Sequence, residues 1–326
     1  MTDRVELEAM VPEDQHGDRL DQVAARLFPD YSRSRLQSWI KQGQLRLDGR
    51  QCRPRDKVVS GARLRVEAEL EQEIGWQPQA AELDIIHEDE SIIVLNKPAG
   101  LVVHPAAGHA DGTLVNALLA HAPELAQVPR GGIVHRLDKE TSGLMVVARS
   151  LAAHSNLVAQ LQDRSVKREY CAICIGVMTG GGTIDAPIGR HPRQRKKMAV
   201  VAVGGKPAIT HYRVTRRFGH HTRVAVSLET GRTHQIRVHM AHRHYPLVGD
   251  PVYGGRPRLP RGASDALIAA LRGFPRQALH AQGLGLVHPA TGAACQFDVP
   301  LPADMQELLR VLETEDPVDG STSNAY

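Results

Sequence analysis

Across residues 17–68 the apolar positions change from a helical to an alternating period. Leu20, Val23, Ala24, Leu27 and Phe28 fall at i, i+3, i+4, i+7 and i+8, one face of a helix, with Asp18 placed as an N-cap. Leu36, Trp39 and Ile40 repeat the spacing after Ser32, a second capping residue, and Gly43 ends that helix. QLRLDGR then reads as a short strand turning at Asp48-Gly49, and ARLRVEAEL as another strand. Two helices followed by a β-ribbon make a small unit.

Residues 70–81, LEQEIGWQPQAA, are polar and without period, as in a linker. Beyond them strand-like runs recur: DIIHED, SIIVLNKP, GLVVHP, GLMVVARS, REYCAICIG and RVAVSLET. GTLVNALLAHA and LAAHSNLVAQLQDR are helical segments between them. The repeated βα rhythm and Gly-rich loops of a doubly wound sheet are missing. The pattern therefore predicts an α+β fold. Residues 1–75 hold the small unit and the linker start; residues 82–312 form a domain on a mixed, largely antiparallel sheet with a central cleft. Residues 313–326, ETEDPVDGSTSNAY, are acidic and polar and are expected to be a disordered tail.

No apolar run approaches the roughly 20 residues of a membrane helix. The opening MTDRVELEAM lacks the basic-then-apolar order of a secretory signal, so a cytoplasmic protein is expected. The net charge of +4 says little about partners, but its distribution says more. Within residues 33–57, Arg33, Arg35, Lys41, Arg46, Arg50, Arg53, Arg55 and Lys57 face two acids, Asp48 and Asp56. A second basic cluster, RHPRQRKK, spans residues 190–197. Such patches on a near-neutral chain are the electrostatic footprint of nucleic-acid binding, with Arg33, Arg35 and Lys41 as candidate RNA contacts.

Metal chemistry finds little support. Cys171 and Cys174 form a CxxC, but it lies in the apolar run CAICIG without a second pair, and buried thiols are the expectation. His239, His242 and His244 crowd together without an HExxH or a supporting carboxylate. Phosphate loops and dinucleotide fingerprints are likewise missing. Neither metal nor small-molecule cofactor is expected.

The segment GGIVHRLDKETSGLMVVA places Asp138 on a connection between two apolar extended stretches, where a scaffold can present a carboxylate to a cleft. By itself an Asp beside Lys139 and Glu140 reads equally as a cap or a surface ion pair.

GIVHRLDKETSGLMVVA resembles the HRLD-x-x-TSG motif of the pseudouridine synthase family whose members modify large-subunit rRNA and tRNA. IIVLNKPAGLVVHP (residues 92–105) is similar to that family's first motif. VKREYCAICIG is similar to the strand carrying its active-site tyrosine, and LETGRTHQIRVHMAHRHYPLVGDPVYG (residues 228–254) to the block carrying its active-site arginine. YSRSRLQSWIKQGQLRLDGR resembles an S4-like RNA-binding domain, so the resemblance spans nearly the whole chain. Ser142 stands where a near member carries threonine, which keeps the hydroxyl.

The resemblance implies an isomerase that turns uridine into pseudouridine, with Asp138 essential and Tyr170 and Arg237 beside it. Arg237 is suited to pair with Asp138, and Tyr170 to offer a flat face to uracil. Arg136, two residues before Asp138, shares its face in extended geometry; Lys139, Lys167 and Ile236 are further candidates for substrate contact. HQIRVHM alternates like a strand, yet Thr233 is placed to cap a helix, and the resemblance favours the helix. The implied partner is large-subunit ribosomal RNA or its precursor particle, at the stem-loop that meets the small subunit. A monomer is expected. Two rivals are a non-catalytic RNA-binding or ribosome-assembly factor and a metal-dependent RNA hydrolase.

Overall fold

The computed structural model describes residues 4–29, 31, 33–69, 76–105, 111–194, 197–256 and 258–318. A strand that the helix-first reading missed opens the chain: β1 (Arg4–Met10) alternates apolar and charged positions. After it come α1 (Leu20–Leu27), α2 (Arg33–Gln42), β2 (Leu45–Leu47), β3 (Arg50–Gln51) and β4 (Arg63–Glu69). These four strands form one sheet, ordered β1-β4-β2-β3, in which β1 pairs antiparallel with β4 from Arg4↔Glu69 to Met10↔Arg63. The expected helical faces are its core: Leu20, Val23, Ala24 and Phe28 cluster with Leu36, Trp39, Ile40, Val5, Leu64 and Val66.

Two caps differ. Arg19 takes the N-cap of α1, because the Asp18 carboxylate turns to Arg26 at 2.7 Å. Ser32 lies outside the described residues.

The rest of the chain contributes β5 (Ile85–Glu88), β6 (Ile92–Lys97), α3 (Leu114–His121), β7 (Ser142–Ala148), α4 (Leu151–Gln162) and β8 (Lys167–Ile175). Next come β9 (Gly182–Asp185), β10 (Ile188–Arg190), β11 (Met198–Val200), β12 (Ile209–Arg217), β13 (His221–Leu228) and α5 (Gln235–His242). The chain continues through α6 (Asp265–Gly273), β14 (Leu279–Val287), β15 (Ala294–Asp298) and α7 (Ala303–Glu315). The large sheet has nine strands, ordered β5-β6-β7-β14-β8-β13-β12-β9, with β15 also on β14. Its pairings are antiparallel except β7–β14, which is parallel at His280↔Ser142 and Ala281↔Gly143. This is the mixed, largely antiparallel α+β architecture expected.

One face of the sheet, including Leu95, Met145, Ala172, Val224 and Leu279, packs on Leu114 and Leu118 of α3 and Ile236 and Met240 of α5. The other face is covered at one end by α4 against Val94, Leu144 and Val146. At the other end, α6 and α7 pack on Cys171 and Ile173. The two faces explain why β7 is buried at every position and its sequence does not alternate.

The run GLVVHP is no strand. The carbonyls of Val102 and Val103 accept the N–H groups of Leu114 and Val115, so the run serves as a collar for α3 while Val103 fills the core. The linker's first part, residues 70–75, lies outside the described residues; its second part is strapped to α3, with Asn116 Nδ2 donating to the Gln77 carbonyl at 2.8 Å. The expected tail begins too early. α7 runs on to Glu315 because Leu308 and Leu312 are buried, and the buried Asp316 accepts hydrogen bonds from the rings of His220 and His221. Residues 319–326 lie outside the described residues. No helix among the described residues is long and apolar enough to cross a membrane.

Candidate active site

Asp138 stands on the irregular connection just before β7, and the three successive carbonyls of Asp138, Lys139 and Glu140 all accept hydrogen bonds. The Asp138 carbonyl accepts the Thr141 N–H at 3.0 Å. The Lys139 carbonyl accepts from Gly100 N–H and from Lys97 Nζ, the Glu140 carbonyl from Arg276, and the Thr141 hydroxyl from Gln277. Lys97 is fully buried at the end of β6 and also donates to the carbonyls of Pro98 and Leu101 at 2.7 and 3.0 Å. Burial pushes its pKa down to about 7. His135 Nε2 accepts the Val146 N–H at 3.1 Å, and burial followed by the charge of Arg168 lowers that ring to about 3, so it is neutral. Gly143 follows at φ 116°, where an added Cβ would lie 2.2 Å from the Ala281 carbonyl oxygen. Only glycine lets β7 approach β14 so closely.

Arg237, 5% exposed on α5, completes the centre. Its Nη1 donates to Asp138 Oδ2 at 3.0 Å, while Nε and Nη2 donate to Asp250 at 2.7 and 3.0 Å. Asp250 in turn accepts the N–H groups of Val252 and Tyr253. Burial opposes charge on Arg237, yet the two carboxylates overcome it and hold its pKa above the ordinary arginine value. Asp250 likewise stays below the carboxylate range despite burial, held there by Arg237 and the two N–H groups. His234, at the N-cap of α5 in the left-handed region (φ 57°), points Nε2 toward Asp138 Oδ1 at 3.8 Å and bonds through Nδ1 to the Tyr253 hydroxyl at 2.8 Å. Burial keeps its pKa below the usual histidine value.

Asp138, Arg237, His234, His135 and Thr141 line a cavity of about 380 Å³. Tyr170 forms part of its wall from β8, and burial raises its phenol pKa. Among the described residues, five arginines, Arg130, Arg136, Arg168, Arg232 and Arg237, line the cavity beside a single carboxylate, Asp138. The cleft is therefore cationic around its one acid, suited to a nucleotide with its phosphates.

Asp138, Tyr170, Arg237, Arg136 and Ile236, named from the sequence, all meet at this cavity. Lys139 is exposed outside its lining, and Lys167 is exposed as well. On β8 the buried Arg168 and Tyr170 share one face, and strand parity puts Lys167 with Glu169 on the other. Arg33 is held by the fully buried Asp21 through Nε and Nη2, at 3.1 and 2.7 Å, and Arg35 is buried. Lys41 remains exposed. α5 is a helix, but His234 rather than Thr233 is its N-cap, since the Gln235 side chain accepts from the Thr230 hydroxyl and Arg232 N–H and tightens the preceding turn.

Sequence reading missed Lys97, Arg168, His234 and Asp250. Strand parity with Tyr170 marks Arg168; Lys97 lies in the string 92–105 and His234 and Asp250 in the string 228–254, but no spacing within those strings singles them out. Cys171 and Cys174 pack in different clusters on opposite faces of β8, and burial raises both thiols. His239 has both ring nitrogens engaged, by Thr210 and by the Ala186 carbonyl.

The chain is similar to known proteins over nearly its whole length. Residues 91–242 match the family described as RNA pseudouridylate synthase, and residues 18–64 match the S4 domain. The chain is 62% identical to "Ribosomal large subunit pseudouridine synthase D" of Pseudomonas aeruginosa, covering 97% of this chain and 98% of the relative. Identity to the Escherichia coli K12 protein of that name is 55%, with 97% of each chain covered. Among solved structures, "Human RNA Pseudouridylate Synthase Domain Containing 4" superposes with a TM-score of 0.55 at 28% identity, over 70% of this chain and 92% of that one. Identity this high over nearly the full length places the chain in the RNA pseudouridine synthase family, and its activity is that of an isomerase.

Proposed function

We propose that this enzyme converts specific uridines of large-subunit ribosomal RNA to pseudouridine, in the stem-loop that faces the small subunit, with Asp138 as the essential carboxylate. The observation that carries the reading is the carboxylate at the cavity wall, oriented by a guanidinium that Asp250 itself fixes. The relatives, named as ribosomal large subunit pseudouridine synthases, support the large-subunit substrate.

The reaction breaks the N1–C1′ bond, turns the base and forms C5–C1′, with a proton leaving C5 and one gained at N1. It is redox-neutral, and the enzyme works as a cytoplasmic monomer without metal or small-molecule cofactor. A uridine reaches Asp138 only when flipped from its stack, which costs a few kcal/mol and less in a loop. Asp138 then acts as a nucleophile toward the sugar or base, or as a base at the ribose. Tyr170 supports the uracil face, and Arg136 holds a phosphate or fills the gap in the RNA. The S4-like unit, residues 1–75, docks the RNA through Lys41, Arg50, Arg53 and Arg55, all exposed.

The test treats unmodified large-subunit rRNA with wild-type or Asp138→Asn protein, then locates pseudouridine by carbodiimide labelling and primer extension. Stops made by wild type alone, in that stem-loop, are expected. Stops elsewhere overturn the substrate, and equal stops with Asp138→Asn overturn the residue.

A further inference from the structure

The loop that leads into the catalytic segment is bent in an unusual way. Arg130, Gly131 and Gly132 are consecutive left-handed residues, with φ of 57°, 63° and 77°. The glycines are required: a Cβ on Gly132 would sit 2.1 Å from the Ala148 carbonyl oxygen, and one on Gly131 would press Val115 at 3.1 Å. Arg130 has no such need to be where it is, since a left-handed backbone disfavours any side chain. Strain held at a side chain is a sign that the side chain is used.

Its surroundings say for what. The Arg130 side chain lines the same cavity as Asp138, and so does Arg136. Among the described residues neither guanidinium makes a hydrogen bond or ion pair, whereas Asp138, the acid of the cavity lining, is held by Arg237. Burial, and then the charge of Arg130, depresses the His104 and His154 rings. A cluster of donors without an acid is complete only when an anion enters.

We infer that Arg130 and Arg136 clamp a phosphodiester flanking the flipped uridine, a backbone grip that positions the nucleotide for Asp138. The planar forks of two arginines suit phosphate oxygens. Arg136 lies two residues from Asp138, so the gripped phosphate belongs to the nucleotide in the cleft or its neighbour. This rests on the reading of the cleft as a uridine site.

The informative variant is Arg130→Gly, which removes the guanidinium while relieving the left-handed backbone. Its melting temperature is expected to equal or exceed that of wild type. Its affinity for an RNA oligonucleotide of the stem-loop should fall about tenfold, as for loss of a charged hydrogen bond. The slope of log affinity against log salt should become shallower by about 0.7, one phosphate contact. The same oligonucleotide carrying a neutral methylphosphonate on either side of the modified uridine tests the partner directly. At one of the two linkages, Arg130→Gly should add no further loss. Equal binding by Arg130→Gly and wild type, or full additivity at both linkages, overturns the clamp. Pseudouridine formation by wild type is scored on the same oligonucleotide, so failure of the uridine reading shows as no product and is separate from failure of the clamp.

Discussion

One terminal nitrogen of the Arg237 guanidinium reaches the Asp138 carboxylate at 3.0 Å, and Asp250 holds the other two nitrogens at 2.7 and 3.0 Å. Asp250 stands outside the cavity lining; it orients the residue that orients Asp138. Asp250→Asn keeps the shape but removes the charge that compensates a buried arginine. Single-turnover rates should fall about a hundredfold through misplacement of Asp138. Breaking a buried pair should also destabilise the fold by about 3 kcal/mol, read by urea unfolding. Lost stability with an intact rate would leave Asp250 a purely structural partner.

Lys97 ties the Lys139 carbonyl to two others while lying at the base of the Asp138 loop. Lys97→Met fills the same volume but leaves the carbonyls short of a donor. The turnover number should drop about tenfold with KM for RNA unchanged, since the effect is on loop geometry. A rise in KM alone would place Lys97 in RNA binding instead.

Acid should unfold this protein earlier than its surface suggests. Burial lowers His104 to about 4, His135 to about 3 and His280 to about 4, against about 6.5 in the unfolded chain. The unfolded state therefore binds more protons as pH falls below about 6.5, and stability is lost from there toward pH 3–4. Each ring contributes up to about 1.4 kcal/mol per pH unit inside that window. His135→Gln, whose amide oxygen can still accept from Val146, should make urea midpoints less dependent on pH between 4 and 6. An unaltered slope would show that His135 is not among the groups taking up protons.

Two glycines separate the cost of space from the cost of backbone conformation. Gly143 and Gly262 both have positive φ, but Gly143 meets the Ala281 backbone and Gly262 meets nothing within 4 Å. Gly262→Ala should cost about 1 kcal/mol. Gly143→Ala should cost at least about 4 kcal/mol, because the β7–β14 pairing has to open. Similar melting temperatures for the two variants would contradict this close packing.

In the S4-like unit, Arg33 and Lys41 should behave oppositely. Arg33 neutralises Asp21, which is fully buried, so Arg33→Glu should lower the melting temperature before it says anything about RNA. Lys41→Glu should leave the melting temperature unchanged and weaken RNA binding several-fold at low salt. A reversed pattern in calorimetry and filter binding would reassign both residues.

Much of the fold was legible because it rests on local sequence pattern. The apolar faces of α1 and α2 follow from spacing, and the strands β6, β7, β8 and β13 and the helices α3 and α4 from short apolar runs and their length. Where reading failed, a longer-range partner had intervened. GLVVHP has strand composition but gives its carbonyls to α3. Asp18 has capping chemistry but answers Arg26. β1 becomes a strand through its full pairing with β4, far along the chain. Arg33 looks like a free cation until Asp21 is found beneath it.

The sequence by itself determined which carboxylate, tyrosine and arginine to watch, since Asp138, Tyr170 and Arg237 each sit in a motif that reads as a contiguous string. The tertiary structure alone decided how they work together. Arg237 meets Asp138 across 99 residues of chain, Ser142 meets His280 across 138, and Lys97 reaches the Lys139 carbonyl across 42. An irregular loop has no ladder of its own to satisfy its backbone, so its donors and acceptors find partners wherever the sheet brings them. Those partners, Lys97, Asp250, Arg276 and Gln277, are set by strand order and register, which no local spacing encodes.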